Sequence, residues 1–194
     1  DSMYREGRDL LNAEGNLIKA QTTNRVIRAV NNKSEFGSAV LHGSWVQYEF
    51  DTLDRLYRMG GQVPQPYATG SNVLLMEYIG DRHHPAPPLY SVSLEAGEAK
   101  RLLREMVANI ELMIGNNLIH GDLSAYNILY WEGQATVIDF PQVSLANKNN
   151  NAWFILRRDI QRVCDYFASQ GAPTDPEAIA RRLWTTYVKA PLPV

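Results

Sequence analysis

The chain has 194 residues, 45% of them hydrophobic, enough for one domain or two small lobes around a real core. Its 19 basic and 21 acidic residues leave a formal net charge of −2, which argues against binding nucleic acid or membrane by bulk electrostatics. A single cysteine excludes an internal disulfide framework and a multi-thiolate zinc site. No apolar run is long enough to span a bilayer and the polar N-terminus is no signal peptide, so a soluble cytoplasmic protein without membrane partners is expected.

In chain order, residues 1–44 are largely polar and read as helix fragments and mobile loop. Residues 45–59 carry Val46, Phe50, Leu53, Leu56 and Tyr57 at helical spacing, and Gly60-Gly61 stops them. Val63-Pro64-Gln65-Pro66 reads as an extended connector. Residues 73–79 form an apolar run between Gly70 and Gly80, the pattern of a buried strand. Pro85, Pro87 and Pro88 stiffen the linker that follows. Ser93 is the expected N-cap of a long helix whose buried stripe is Leu102, Leu103, Met106, Val107, Ile110, Met113 and Ile114, ending near Gly115. Residues 128–131 and 134–138 read as two strands joined by Glu132-Gly133. Residues 153–167 and 175–189 read as helices, parted at Gly171-Ala172-Pro173, with Cys164 at a packing position of the first.

The chemistry concentrates between these last elements. His120-Gly121-Asp122-Leu123-Ser124-Ala125-Tyr126-Asn127 precedes the hairpin and Val137-Ile138-Asp139-Phe140 ends it. Pairing outward from the turn sets Trp131 opposite Gln134 and Leu129 opposite Thr136, which brings Asn127 and Asp139 to the same open end. An amide oxygen and a carboxylate converging there are hard ligands suited to Mg²⁺, which keeps waters and binds nucleotide phosphates. Asp122, on the loop feeding the first strand, can take a proton from a hydroxyl or orient an attacking group beside a γ-phosphate. Taken singly, Asp122 and Asn127 could be loop or turn residues. Asp139 between Ile138 and Phe140 is an awkward place for an uncompensated charge. The three at this spacing favour phosphoryl transfer. His120 is expected to brace the loop by bonding backbone groups.

At these residues the chain resembles the RIO family of atypical protein kinases and ATPases, nearest its first subfamily and prokaryotic relatives. Residues 73–80 followed by Pro85-Ala86-Pro87 resemble that family's hinge and linker. Trp45-Val46-Gln47-Tyr48-Glu49-Phe50 resembles the start of its helix C, and Lys33-Ser34-Glu35-Phe36-Gly37 the flexible segment before it. Val137-Ile138-Asp139-Phe140-Pro141-Gln142 resembles its metal-binding loop, and Phe154-Ile155-Leu156-Arg157-Arg158-Asp159 its C-terminal helix. The resemblance covers roughly residues 3–170. It implies an α+β, protein-kinase-like two-lobe fold with an incomplete N-lobe over 1–79 and a C-lobe over 80–194.

The resemblance also implies roles. Asp122 would be the catalytic base, and Asn127 and Asp139 would hold Mg²⁺, with Mn²⁺ as an alternative. Asp139 could also accept phosphate as an aspartyl-phosphate. The Glu77 carbonyl and Ile79 amide would bond the adenine edge of ATP, with Met76 as gatekeeper. Glu49 would pair with a phosphate-binding Lys. Gly121 stands where ordinary kinases place an Arg that reads an activation-loop phosphate, and no Ala-Pro-Glu motif follows Asp139, so control through such a loop is not expected. The acceptor would be an unknown protein, the chain itself included, and a ribosome-assembly particle is a partner by family analogy alone.

The beginning of the chain departs from the family. No Gly-rich phosphate loop or strand Lys is matched before residue 45. Residues 37–43 contain glycine but lie directly before the helix, and Lys19 and Lys33 are weak candidates for the missing Lys. A fragment or a truncated protein is expected. Three readings stand: a RIO-type serine/threonine kinase or ATPase; a small-molecule kinase of the aminoglycoside or choline type, which shares the His-Gly-Asp motif; and a nucleotide-gated pseudokinase or binding module.

Overall fold

The computed structural model describes residues 32, 34–70 and 72–192. Lys19 lies outside the described residues, and so does Lys33.

The first helix, α1, runs Glu35–Arg58, so it begins well before Trp45 and takes in part of the stretch read as mobile loop. Gly37 and Gly43 lie inside it. Each costs about 1 kcal/mol relative to Ala. Burial of Leu53 and Leu56 further along offsets that cost, since each fully buried leucine contributes about 2 kcal/mol. Glu35 in the first turn and Arg55 and Arg58 in the last complement the helix dipole.

The expected connector at 63–66 passes into a strand, β1, Pro66–Thr69, which pairs antiparallel with β2, Leu74–Met76. The register is Pro66↔Met76, Ala68↔Leu75 and Thr69↔Leu74, with an irregularity after Pro66. The apolar run at 73–79 is therefore a short strand, and it is not buried: Val73 is 60% and Leu75 58% exposed. Apolar content alone does not distinguish a core strand from one in a two-stranded ladder with an open face.

After β2 the chain crosses a connector closed by a bridge between Gly80 and Pro85, makes a 3₁₀ turn at Leu89–Ser91, and enters α2, Ala96–Gly115. Ser93 does not cap this helix. Glu95 occupies the N-cap without a side-chain bond, and its carbonyl accepts from the Ala99 amide. The buried stripe of α2 is as the spacing indicates, except that Val107 is only partly buried. Beyond Gly115, Asn117 turns the chain at φ 64°.

Two further antiparallel pairs follow. β3, Leu118–Ile119, pairs with β6, Ser144–Leu145, and between them β4, Ile128–Trp131, pairs with β5, Gln134–Val137. The β4–β5 register has Trp131 opposite Gln134 and Leu129 opposite Thr136, as predicted. Glu132 (φ 46°) and Gly133 (φ 79°) supply the two positive dihedrals of a tight hairpin turn. Arg101 of α2 fixes this turn by donating to the Gly133 carbonyl at 2.7 Å while pairing with Glu105 at 2.7 Å. Tyr130 donates to Glu98 at 2.8 Å from the first strand. The hairpin, and hence its open end, is thereby set against α2.

Two helices follow: α3, Ala152–Ser169, and α4, Pro176–Leu183. Asp175 caps α4 by accepting from the Ala178 amide at 3.0 Å, with Pro176 in the first turn. The helix then widens into a π turn at Trp184–Val188. Leu102 and Met106 of α2, Ile155, Leu156 and Phe167 of α3, Ile128 of the hairpin and Phe140 beyond it form the fully buried centre. Cys164 belongs to it, and burial pushes its thiol up to about 11, so it is a packing residue.

Among the described residues, no helix is long and apolar enough to cross a membrane.

Candidate active site

The loop from His120 to Asn127 is built on buried polar contacts. Gly121 sits at φ 90°, and a Cβ there would run into the Gln142 carbonyl. That close approach is why glycine occupies this position. His120 is 2% exposed and braces the loop as expected. Its Nδ1 accepts from the Asp122 amide at 3.2 Å, so Nε2 carries the hydrogen and donates to the Ile138 carbonyl at 3.0 Å. Burial holds its pKa down at about 4, so the ring is neutral.

Asp159 of α3 secures the same loop from beneath. It is 2% exposed, and its Oδ2 accepts from the Gly121 amide at 2.8 Å. Arg158 bonds both the Gly121 carbonyl and Asp159 Oδ1, the latter at 3.0 Å. Burial raises Asp159 to about 6, against the opposing pull of Arg158 and the Gly121 amide.

Asn127 and Asp139 do meet at the open end of the hairpin. The Ile138 amide donates to the Asn127 carbonyl at 3.0 Å. The Asn127 side-chain amide donates to the Asp122 carbonyl at 3.0 Å, which leaves Oδ1 as the oxygen available to a cation. Asp139 stands at φ 68°, a left-handed conformation that aspartate tolerates better than most residues. Its pKa is raised, first by burial and then by the charge on Asp122. Glu49 of α1 reaches this loop directly: its Oε1 accepts from the Phe140 amide at 3.0 Å.

These residues line two adjoining cavities. The first, about 530 Å³, is bounded by Glu49, Met76, Glu77, Ile79, Asn127 and Asp139 among others. The second, about 560 Å³, is bounded by Asp122 and Asn127 together with Tyr90, Tyr126, Arg162 and Asp165. The fold thus collects six of the seven residues singled out in the sequence into one space and places Asp122 in the next, with Asn127 in the wall of both.

Sequence reasoning missed three participants. Arg162 pairs with Asp122 at 2.8 Å, and Arg158 and Asp159 hold Gly121. One signal was present. Asp159 falls among Ile155, Leu156 and Ile160 on the buried stripe of α3, where a carboxylate needs a reason to be.

The family model described as the RIO domain matches residues 18–179. The chain belongs to the RIO family. It is 36% identical over 137 residues to the RIO-type serine/threonine-protein kinase Rio1 of Haloferax volcanii, covering 70% of this chain and 46% of that protein. It is 33% identical over 135 residues to the protein of the same name from Thermoplasma acidophilum, covering 70% of this chain and 69% of the relative. Against the human serine/threonine-protein kinase RIO1 it is 34% identical over 125 residues, covering 64% of this chain and 22% of the relative. The chain therefore spans about half the length of the Haloferax relative and less than a quarter of the human one. The helices and small sheets are the α+β, kinase-like architecture of a RIO domain.

A divalent cation fits this RIO site. Among the described residues no three His, Cys, Asp or Glu side chains group closely enough to hold a metal by themselves. Asn127 Oδ1 and the Asp139 carboxylate are two hard oxygen donors, the sparse set that Mg²⁺ accepts when phosphates and waters complete its shell. The raised pKa of Asp139 marks a carboxylate whose charge lacks compensation.

Proposed function

We propose that this chain carries the catalytic part of a Mg²⁺-dependent phosphotransferase that moves the γ-phosphoryl of ATP to a serine or threonine hydroxyl of a protein, or to its own Asp139 in an ATPase cycle. The observation that carries this reading is the position of Asn127 in the wall of both cavities. Nucleotide in one and acceptor in the other would meet past a single side chain.

The connector is suited to an adenine edge. Its Glu77 amide is used by the Gln65 carbonyl at 2.8 Å and its Ile79 carbonyl by the Ala86 amide at 2.9 Å. Among the described residues this leaves the Glu77 carbonyl and Ile79 amide for a ligand, beside Met76 in the cavity wall. Mg²⁺, when bound by Asn127 and Asp139, neutralises charge on the phosphates. Glu49 fixes the Asp139 loop by accepting from the Phe140 amide.

For a hydroxyl acceptor, its oxygen attacks the γ-phosphorus, the bond to the ADP oxygen breaks, and the hydroxyl proton passes to Asp122. Arg162 occupies Asp122 Oδ1, which leaves Oδ2 for the hydroxyl. Because phosphoryl transfer has a loose transition state, Asp122 acts chiefly by orienting the acceptor. For transfer to Asp139, a carboxylate oxygen attacks instead, and water later releases phosphate and restores the carboxylate.

The test is calorimetry with Mg²⁺–ATP combined with single-turnover transfer. Asp139→Asn is expected to weaken metal-dependent binding tenfold or more. Asp122→Asn is expected to retain binding and to lose about 10²-fold or more in transfer. Turnover indifferent to both substitutions would sink the assignment.

A further inference from the structure

The second cavity has a chemical character of its own. Tyr90 and Tyr126 stack with ring centroids 4.2 Å apart and planes 29° from parallel, yet they remain 51% and 66% exposed. Tyr166 adds a third ring to the wall. Two large aromatic faces left beside water in a concave site offer a surface for a planar or cationic group.

The charges decide between these. Among the described residues lining the cavity, Arg162 is the one cation, and it is committed to Asp122 at 2.8 Å. Asp165 lies three residues further along α3, close to one turn away. Its Oδ1 accepts from Gln161 Nε2 at 2.7 Å, a neutral donor that leaves the carboxylate's charge in place. The lining therefore carries a net negative charge at the Asp165 end, set against tyrosine faces. Phosphate and carboxylate groups are repelled there, whereas a guanidinium can stack on a ring and pair with the carboxylate together.

We propose that this cavity is the acceptor subsite, and that it selects serine or threonine with an arginine one or two residues away. The inference rests on the phosphotransferase reading for the placement of the hydroxyl at Asp122. One helical turn is about 5 Å, and adjacent residues of an extended peptide are about 3.5 Å apart, so a flanking arginine reaches Asp165 while the hydroxyl sits at Asp122. Arginine is favoured over lysine because its planar head lies flat on tyrosine.

The test is fluorescence anisotropy with labelled peptides of one length in which alanine replaces the acceptor serine and the neighbouring residue is Arg, Lys, Ala or Glu. The full chain is used, without nucleotide. The Arg peptide is expected to bind at least tenfold more tightly than the Glu peptide, with Lys between. Asp165→Lys, at an exposed position that tolerates substitution, is expected to abolish or reverse that order. Tyr126→Leu is expected to narrow the gap between Arg and Lys. Equal binding of the four peptides, preference for Glu, or an order unchanged by Asp165→Lys overturns the proposal. So does a short single-stranded oligonucleotide that binds in a Tyr126-dependent manner when the Arg peptide does not. Mg²⁺–ATP calorimetry reads the nucleotide site separately, so loss of nucleotide binding with the peptide order intact counts against the phosphotransferase reading and not against this subsite.

Discussion

Arg162 Nη1 lies 2.8 Å from Asp122 Oδ1, joining the last turns of α3 to the loop that carries the proposed base. Both side chains are about two-fifths exposed, so the pair is screened and contributes little to stability. Its effect is geometric: one carboxylate oxygen is held and the other is aimed.

Removing that hold should therefore alter turnover more than folding. Arg162→Ala is expected to lower kcat for phosphoryl transfer about tenfold while shifting the unfolding midpoint by less than about 0.5 kcal/mol equivalent. Arg162→Lys keeps the charge and should recover part of the loss. Single-turnover kinetics and urea melts on the three proteins measure both. A large loss of stability with unchanged kcat would show that the pair is a surface brace.

Glu49 supports a second prediction. Its Oε1 is the acceptor for the Phe140 amide, next to Asp139. Glu49→Ala leaves that part-buried donor unpaired, at a cost of about 1–3 kcal/mol, and frees the residue proposed to hold Mg²⁺. Glu49→Gln still presents an oxygen. Calorimetry should show weaker Mg²⁺–ATP binding for the alanine variant and near-normal binding for glutamine. Equal losses in both variants would place the weight on the charge of Glu49 and not on its bond to Phe140.

How far the sequence disclosed this arrangement depends on range. The hairpin was legible because Glu132-Gly133 sets its register locally, and that register brings Asn127 to Asp139 without further information. The α2 stripe was legible because its periodicity is strong. The start of α1 was not, because Gly37 and Gly43 are local breakers overruled by packing later in the same helix. The Arg162–Asp122 and Asp159–Gly121 contacts were not, because they join residues 40 and 38 positions apart through tertiary folding that no short pattern records. The two cavities belong to the same class: their walls come from α1, the connector, the loop and α3.

Gly121 provides a stability test. Its φ of 90° and the Gln142 carbonyl beside it leave no room for a side chain. Gly121→Ala should cost about 1–3 kcal/mol through backbone strain alone, and more if the Gln142 segment has to move. Thermal melts of the two proteins check this. An unchanged melting temperature would mean that the loop can relax around a Cβ.

The last prediction concerns pH and uses two buried groups whose effects oppose each other. His120 titrates at about 4 in the fold against an ordinary 6.5, so over that interval the unfolded chain binds the extra proton and stability rises with pH. Asp159 titrates at about 6 against an ordinary 3.8, so the folded chain binds the extra proton and stability falls as pH rises through the same interval. Each shift corresponds to about 3 kcal/mol. Between pH 4 and pH 6 the two contributions largely cancel. His120→Gln can still donate to the Ile138 carbonyl but cannot take up a proton, so the remaining Asp159 contribution should make this variant lose stability from pH 4.5 to 6.5 relative to the wild type. Asp159→Asn should gain stability over that range relative to the wild type, because it removes the group whose proton the folded chain holds more tightly. Urea melts at the two pH values measure both slopes. Parallel slopes in all three proteins would mean that neither buried group governs the pH response of the fold.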